Sequence, residues 1–280
     1  MDRTAGTQTI TRVLANWRVV LGGLVVAVFV VAALGASWFS PADPLEQDLM
    51  MQLEPPSALH PLGTDSLGRD ILSRLIHGAR IALTVALVAG LLTALLGTAL
   101  GLAAGYLGGW ADIVISRAVD IWSSFPPVLL SVILVALLGT GLHSVIVAIV
   151  VIDWTRFARV VRAETLKQRH MDYVDAAIVG GLRPGAILLR EILPNVLPLF
   201  VVLLTLEMGI AVIVEAILSF VGLSLSSDAP TWGGMIAEGR QVIYQAPWII
   251  ALPMGALLAL VLGLNLLGDG LKAELDPVLR

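Results

Sequence analysis

Long apolar segments without charged residues recur along this chain, and shorter segments between them hold most of its Asp, Glu, Lys and Arg residues. The uncharged segments include residues 19–39, 81–111 and 247–268. A helix that spans the ~30 Å hydrocarbon core of a membrane needs about 20 predominantly apolar residues. No alternation of apolar and polar residues, which would mark half-buried strands, competes with this pattern. The pattern therefore predicts an all-α, polytopic membrane protein.

We expect about six transmembrane helices, because inside lipid the backbone polar groups must be paired within their own segment. The predicted spans are 19–39, 81–105, 113–138, 143–162, 197–222 and 247–268. Pro126-Pro127 should kink the third span. Gly97, Gly101 and Gly105 form small-x-x-x-small units that allow close helix contact on the second span, either within this chain or with a partner subunit. Cleavage of the first span as a signal peptide is disfavoured, since its apolar run is long and further spans follow.

Composition and charge narrow the function classes. Of the 280 residues, 58% are hydrophobic and 14% are charged, which excludes a soluble enzyme and a disordered chain. The net charge of −4 does not suggest nucleic-acid binding. The absence of cysteine excludes thiol catalysis, disulfides and thiolate metal sites. The four histidines are scattered, so no metal site is predicted.

The distribution of basic residues predicts the orientation in the membrane. With the N-terminus inside, 13 of the 17 Lys and Arg residues fall on the inner side, and only Arg69, Arg74, Arg80 and Arg240 fall outside. Cytoplasmic loops carry the excess of basic residues, so both termini should be cytoplasmic. The predicted organisation is a cytoplasmic N-terminus over 1–18, a first transmembrane helix over 19–39 and an external loop over 40–79. A permease domain over 80–280 follows, and it includes a cytoplasmic loop over 163–195.

The chain lacks the phosphate-binding loop of an ATPase, in which a lysine closes a glycine-rich segment. Lys167 follows Leu166 and Lys272 follows Leu271, so neither lysine can close such a loop. If transport is driven by ATP, another subunit must hydrolyse it. We therefore predict no enzyme activity, catalytic residue or cofactor in this chain.

The cytoplasmic loop over 163–195 is too polar to span the membrane and is rich in helix-forming residues. It contains Asp175-Ala176-Ala177, then Gly180-Gly181, then Pro184 and Leu193-Pro194. This order predicts two short helices joined by a turn at the membrane surface. The small residues would allow another backbone to approach closely, although an ordinary cytoplasmic hairpin explains the loop equally well.

These residues resemble the EAA loop of permease subunits of ABC importers, and three further stretches resemble the second permease subunit of dipeptide, oligopeptide and nickel importers. The stretches are Gly63-Thr64-Asp65 with Gly68-Arg69-Asp70, Glu215 to Leu223 with Pro230 to Gly233, and Asn265 to Leu271 with Leu275 to Pro277. The resemblance covers about residues 20 to 280. It departs at Asp175, where the family usually has Glu, at Gly180, where Leu is frequent, and at Glu191, where His is frequent.

The resemblance implies the fold of a type I ABC importer permease in a bacterial or archaeal cell membrane. It also implies a similar second permease subunit, two cytoplasmic ATPases that bind ATP and Mg, an external substrate-binding protein and a peptide substrate. The expected coupling residues are Asp175, Ala176, Ala177, Gly180, Gly181, Leu193 and Pro194. The external signature residues are Gly63, Thr64, Asp65, Gly68, Arg69 and Asp70, and we expect this loop to contact the binding protein.

Ionisable residues inside the membrane are costly and mark candidate functional sites. Glu207 and Glu215 lie within about 80° of each other around the fifth span, so either could line the translocation path or bind neighbouring helices. The pairs Arg117/Asp120 and Asp153/Arg156 have helical spacing and favour ion pairs. Two alternatives to a peptide permease stay open, a permease for a nickel complex and, from a different class, a secondary transporter or channel. A membrane enzyme is disfavoured.

Overall fold

The structure is a computed structural model that describes residues 15–226 and 228–275. In these ranges the chain forms helices joined by loops, and the only β-type pairing is a single bridge between Thr64 and Asp70. The longer helices are α1 (Trp17–Leu34), α3 (Ile71–Leu107), α4 (Gly109–Ser123), α5 (Pro127–Leu138), α6 (Leu142–Arg169), α9 (Leu193–Phe220) and α11 (Trp248–Leu275). The shorter helices are α2 (Ala36–Phe39), α7 (Asp172–Val179), α8 (Pro184–Ile187) and α10 (Trp232–Gln241).

The all-helical prediction is confirmed, and the helices differ from the predicted spans in two places. Among the described residues, four helices are long and apolar enough to cross a membrane, or five if the bent pair α4 and α5 forms one span. These two helices meet at 90° around Ser124 to Pro126, where the proline pair predicted a kink. Helix α6, the predicted fourth span, is not among these apolar helices, because it carries three charged residues, Asp153, Arg156 and Arg159, within its apolar part.

Helix α3 lies at the centre of the molecule and packs against α1, α6 and α9. The packing against α6 uses the predicted small residues: a Cβ added to Gly97 would lie 2.4 Å from Phe157 Cβ, and one added to Gly101 would lie 2.8 Å from the Ala158 carbonyl oxygen. The glycines therefore bring two helices of this same chain together, which the sequence left undecided.

The segment 163–195, which was predicted to be cytoplasmic, is more helical than the sequence predicted. Helix α6 continues to Arg169, well past the predicted span end at residue 162. Helix α8 continues through one π-helical turn, Leu188–Ile192, directly into α9. The non-helical parts of the predicted 163–195 loop are therefore short and lie on either side of α7.

Candidate coupling loop and intramembrane charges

Helix α7 is anchored to the transmembrane helices by one face. Val174 is fully buried, in a cluster with Leu102 of α3, Val161 of α6, Ile187 and Ile192. Asp172 and Asp175 lie in the first turn of α7, where negative charge interacts favourably with the helix dipole. A short helix that depends on tertiary packing for its stability is thus tied to the ends of α3 and α6.

The turn after α7 has the geometry of a Schellman motif. The Leu182 N–H donates to the Ala177 carbonyl at 3.1 Å, and the Gly181 N–H donates to the Ile178 carbonyl at 3.0 Å. Gly181 has φ +75°, whereas Gly180 has an ordinary φ of −70°. Glycine is favoured at position 181 because other residues are strained in this conformation. A Cβ at Gly181 would meet no atom of this chain within 4 Å.

The opposite face of α7 is exposed and partly apolar. Asp175 and Ala176 are exposed, and Ile178 and Val179 are 54% and 89% exposed. Ala177 is half-buried against the anchoring cluster. The structure therefore brings the predicted coupling residues 175–181 together on one short helix. Leu193 packs in the cluster beneath it, and Pro194 is exposed in the first turn of α9.

Tyr173 joins three helices at this site, and the sequence did not single it out. Its hydroxyl donates to Gln168 Oε1 of α6 at 2.7 Å and accepts from Asn195 Nδ2 of α9 at 3.3 Å. Burial, with the nearby charges of Glu191 and Glu164, raises the pKa of the Tyr173 phenol, and the hydrogen bond from Asn195 opposes that rise. The phenol is therefore neutral near pH 7 and can act as a donor.

The six residues of the external signature are all buried. Asp70 caps α3 by accepting from the Ser73 N–H at 2.7 Å and binds His60 Nδ1 at 2.9 Å. Asp65 accepts from Arg69 Nε at 2.7 Å and also binds Arg74 Nη1. These side chains are used inside the chain and present little surface to another protein, so the external loop is folded over its own helices at these positions. The predicted contact with a binding protein stays a prediction for the loop's exposed residues.

The same arginines bind Glu238 of α10, which the sequence did not single out. Arg69 Nη2 lies 2.8 Å and Arg74 Nη1 lies 2.9 Å from Glu238 Oε2. We refer to Asp65, Arg69, Arg74 and Glu238 as the outer network. Trp232 of the same helix is buried and donates to the Leu75 carbonyl at 3.0 Å. The external signature and the Trp232 stretch, which are separate motifs in the sequence, thus form one contact between α3 and α10.

A second cluster of charges lies within the transmembrane helices. Arg156 of α6 lies 3.5 Å from Asp153 Oδ1 and 3.5 Å from Glu207 Oε2 of α9. The Asp153 and Glu207 side chains are 7% and 1% exposed, and that of Arg156 is 47% exposed. Glu207 Oε1 is buried and has no hydrogen-bond partner in the part of the chain that the structure describes. We refer to these three residues as the membrane trio.

Glu215 is placed differently from Glu207, although both lie on α9. Glu215 Oε1 accepts from the Ser219 hydroxyl and, at 3.1 Å, from the Ser224 hydroxyl. The Ser224 carbonyl in turn accepts from the Gly141 N–H at 2.7 Å. Glu215 therefore fastens the turn after α9 to the break between α5 and α6, which is a structural role. Of the two predicted path residues, only Glu207 contacts a partly exposed charge.

Comparison with known families identifies the chain. Residues 97–280 match the family described as binding-protein-dependent transport system inner membrane component. The chain belongs to this family. Residues 5–56 match the N-terminal transmembrane domain of oligopeptide transport permease C. The resemblance noted in the sequence is thereby confirmed.

Several curated relatives of this permease match over nearly its whole length. The dipeptide transport system permease protein DppC of Alkalihalophilus pseudofirmus is 37% identical over 95% of this chain and 87% of its own length. The di/tripeptide permease DppC of Pseudomonas aeruginosa is 39% identical over 93% of this chain and 88% of its own. The glutathione transport system permease protein GsiD of Pectobacterium atrosepticum is 39% identical over 99% and 93%.

The fold of the permease is shared with a solved ABC transporter. A chain from inward-facing structures of the MetNI methionine ABC transporter superimposes with a TM-score of 0.59 at 24% identity, covering 72% of this chain and 96% of that one. The predicted fold class is therefore confirmed. The permease is a multi-pass membrane protein by family and by its apolar helices.

Proposed function

We propose that this permease forms half of the translocation path of an ATP-driven importer for di- or oligopeptides. The other half is a similar second permease subunit, and an external binding protein delivers the peptide. Two cytoplasmic ATPases bind ATP and Mg and drive the cycle. The termini are cytoplasmic, and the membrane is that of a bacterial or archaeal cell.

The observation that carries this proposal is the apolar exposed face of α7. Val179 and Ile178 are exposed on a helix whose neighbouring residues, Asp172 and Asp175, are charged and keep it out of lipid. Exposed apolar residues grouped on a polar segment mark an interaction site. A groove on an ATPase subunit that covers α7 would bury Ile178 and Val179.

Helix α7 is built to transmit a displacement. Val174 and Tyr173 bind it to α3, α6 and α9, so a push on α7 moves the ends of three helices together. Coupling between distant sites needs an element whose equilibrium both sites bias. The ATPases bias α7 from the cytoplasm, and the peptide biases the helices from the path.

The peptide cargo rests on the relatives, which are named for dipeptides, di/tripeptides and glutathione. A nickel complex is therefore the less favoured cargo. A secondary transporter or channel is disfavoured as well, because Glu215, one of the two carboxylates on which that idea depends, is held by Ser219 and Ser224.

The test replaces Val179 by lysine in the complex purified through a tag on this chain. Lysine removes the apolar contact, and a cation in the last turn does not oppose the helix dipole. We expect the amount of ATPase subunit that copurifies with this chain to fall roughly fivefold or more, which corresponds to a loss of about 1 kcal/mol at an interface. Peptide-stimulated ATP hydrolysis should fall with it. Leu59→Lys, at a 65% exposed position in the external loop, is the matched control for recovery of the ATPase subunits only, because this loop is expected to contact the binding protein. Equal recovery of ATPase subunits with the two variants would contradict the proposal.

A further inference from the structure

Arg156 is a partly exposed cation in the middle of α6, the predicted fourth span. It lies 14 residues from the start of α6, about 21 Å along the helix axis at 1.5 Å per residue. With the start of α6 at the outer membrane boundary, Arg156 lies within the ~30 Å hydrocarbon core. Its guanidinium contacts Asp153, one turn nearer the outer end. The side chain therefore points toward the middle of the membrane and does not reach back to the cytoplasmic surface.

A charge exposed at this depth does not face lipid. Charged side chains inside the membrane face a water-filled cavity or another protein segment, because exposure to hydrocarbon is costly. The Arg156 side chain is 47% exposed. Its exposed part therefore faces either the water-filled path or a neighbouring subunit.

The guanidinium also retains unused hydrogen-bond capacity. Arginine has five N–H donors in a planar fork that matches a carboxylate. Among the described residues Arg156 contacts only two acids, both at 3.5 Å. Asp153 and Glu207 are almost fully buried behind it. The accessible group of the membrane trio is therefore the cation, and the two carboxylates hold it in place.

Two further arginines continue along α6 toward the cytoplasm. Arg159 donates to Ser123 Oγ at 3.2 Å, and Arg162 Nη2 binds Asp112 Oδ2 at 2.7 Å. Arg162 is paired with this acid, whereas Arg159 contacts a neutral hydroxyl. Arg156, Arg159 and Arg162 thus form a row of cations along α6, and Arg156 is the one farthest from the predicted cytoplasmic end.

We propose that Arg156 binds the C-terminal carboxylate of the peptide in transit, with Asp153 and Glu207 orienting its guanidinium. This inference rests on the proposed peptide-import function and names the group of the substrate that the path recognises. A carboxylate is common to all unmodified peptides, so the site would accept different sequences.

The first experiment measures uptake of a radiolabelled pool of di- to pentapeptides by the complete complex in liposomes, with saturating loaded binding protein. We expect Arg156→Gln to reduce the uptake rate at least about tenfold, because it removes a charge-assisted hydrogen bond. Arg117→Gln is the matched control, since Arg117 pairs with Asp120 at the same i,i+3 spacing and is 76% exposed. It should leave uptake within about twofold of wild type.

A double variant separates recognition from structural neutralisation. Arg156→Gln combined with Glu207→Gln removes the cation together with the buried acid that it contacts, so neither side chain is left without its partner. If Arg156 only compensates Glu207, the double variant should recover both assembly and uptake. Under our proposal it recovers assembly while uptake stays low. Full recovery of uptake would overturn the inference.

Water access and charge rescue give an independent readout. The chain has no cysteine, so Arg156→Cys introduces its only thiol, and the wild-type complex gives the background. We expect 2-aminoethyl methanethiosulfonate, which adds an ammonium, to restore uptake, while the anionic sulfonatoethyl reagent does not. Loaded binding protein with ATP should slow the labelling. No labelling, or equal rescue by both reagents, would contradict the proposal.

The outcomes distinguish a failure of the proposed import function from a failure of the proposed role of Arg156. A wild-type complex that accumulates no peptide in the presence of ATP and binding protein would refute the proposed function itself. Normal uptake by wild type and by the double variant would refute only the role of Arg156.

Discussion

The outer network and the membrane trio are both clusters of arginines and carboxylates, but they differ in how completely their charges are paired within the chain. In the outer network two buried arginines meet two carboxylates, and its principal contacts are 2.7 to 2.9 Å long. In the membrane trio one half-exposed arginine meets two buried carboxylates at 3.5 Å. The charges of the outer network are nearly all paired with one another, although Arg74 Nε has no hydrogen-bond partner among the described residues. In the membrane trio the half-exposed Arg156 can still bind a further group.

From this difference we expect the outer network to stabilise the fold and the membrane trio to act in transport. A closed network between α3 and α10 can only hold these helices together, and its loss should appear as unfolding. An open cluster contributes little to folding, and its loss should appear in the transport cycle. Substitutions in the two clusters should therefore rank in opposite orders for stability and for peptide uptake.

The largest loss of stability is expected for Arg74→Gln. Arg74 is fully buried and binds both Asp65 and Glu238, so its removal leaves the buried Asp65 and the partly exposed Glu238 with Arg69 as their remaining cation. Breaking such a buried pair from one side costs about 3–5 kcal/mol. Thermal unfolding of the purified complex in detergent measures the effect. Arg117→Gln is the control at an exposed pair, and equal midpoints for the two variants would show that the outer network is not structural.

A smaller loss is expected for Glu238→Gln. Glu238 is 27% exposed, and the amide retains one acceptor oxygen, so one interaction with Arg69 or Arg74 survives. The remaining loss should be about 1.5–2 kcal/mol, in the range of a hydrogen bond to a charged group. The same unfolding measurement applies. Glu46→Gln, at an exposed acid of the same external loop, should be neutral, and a Glu238 effect no larger than this control would argue against the contact.

The sequence predicted the helices well because apolar length and helix-breaking residues are local signals. The kink at Pro126-Pro127, the turn at Gly180-Gly181 and the close-packing glycines of α3 all follow from single residues or short spacings. The extension of α6 to Arg169 was missed, because Arg162, Glu164 and Lys167 end the predicted span while the helix continues. Polar residues with good helix propensity carry it onward.

The pairing of charges could not be predicted in the same way. Arg156 was assigned to Asp153 by spacing, but its contact with Glu207 links residues 51 positions apart. Arg74 and Glu238 are 164 positions apart, and only the packing of α10 on α3 brings them together. The loop that carries the external signature was expected to contact a binding protein, and the burial of the six signature residues depends on the fold of the whole loop.

The smallest effect on stability is expected for Glu207→Leu, which tests the open character of the membrane trio. Glu207 has one oxygen without a hydrogen-bond partner among the described residues and the other at 3.5 Å from Arg156, so an apolar residue of similar size loses little and removes a buried polar group. We expect a change within about 1 kcal/mol, since Arg156 is half-exposed and keeps Asp153 as its partner. Glu215→Leu on the same helix should cost more, because it leaves the hydroxyls of Ser219 and Ser224 without their acceptor. If Glu207→Leu unfolds the complex as readily as Glu215→Leu, Glu207 is structural, and the contrast between the two clusters fails. If it preserves stability and lowers peptide uptake, the carboxylate acts on the path through Arg156.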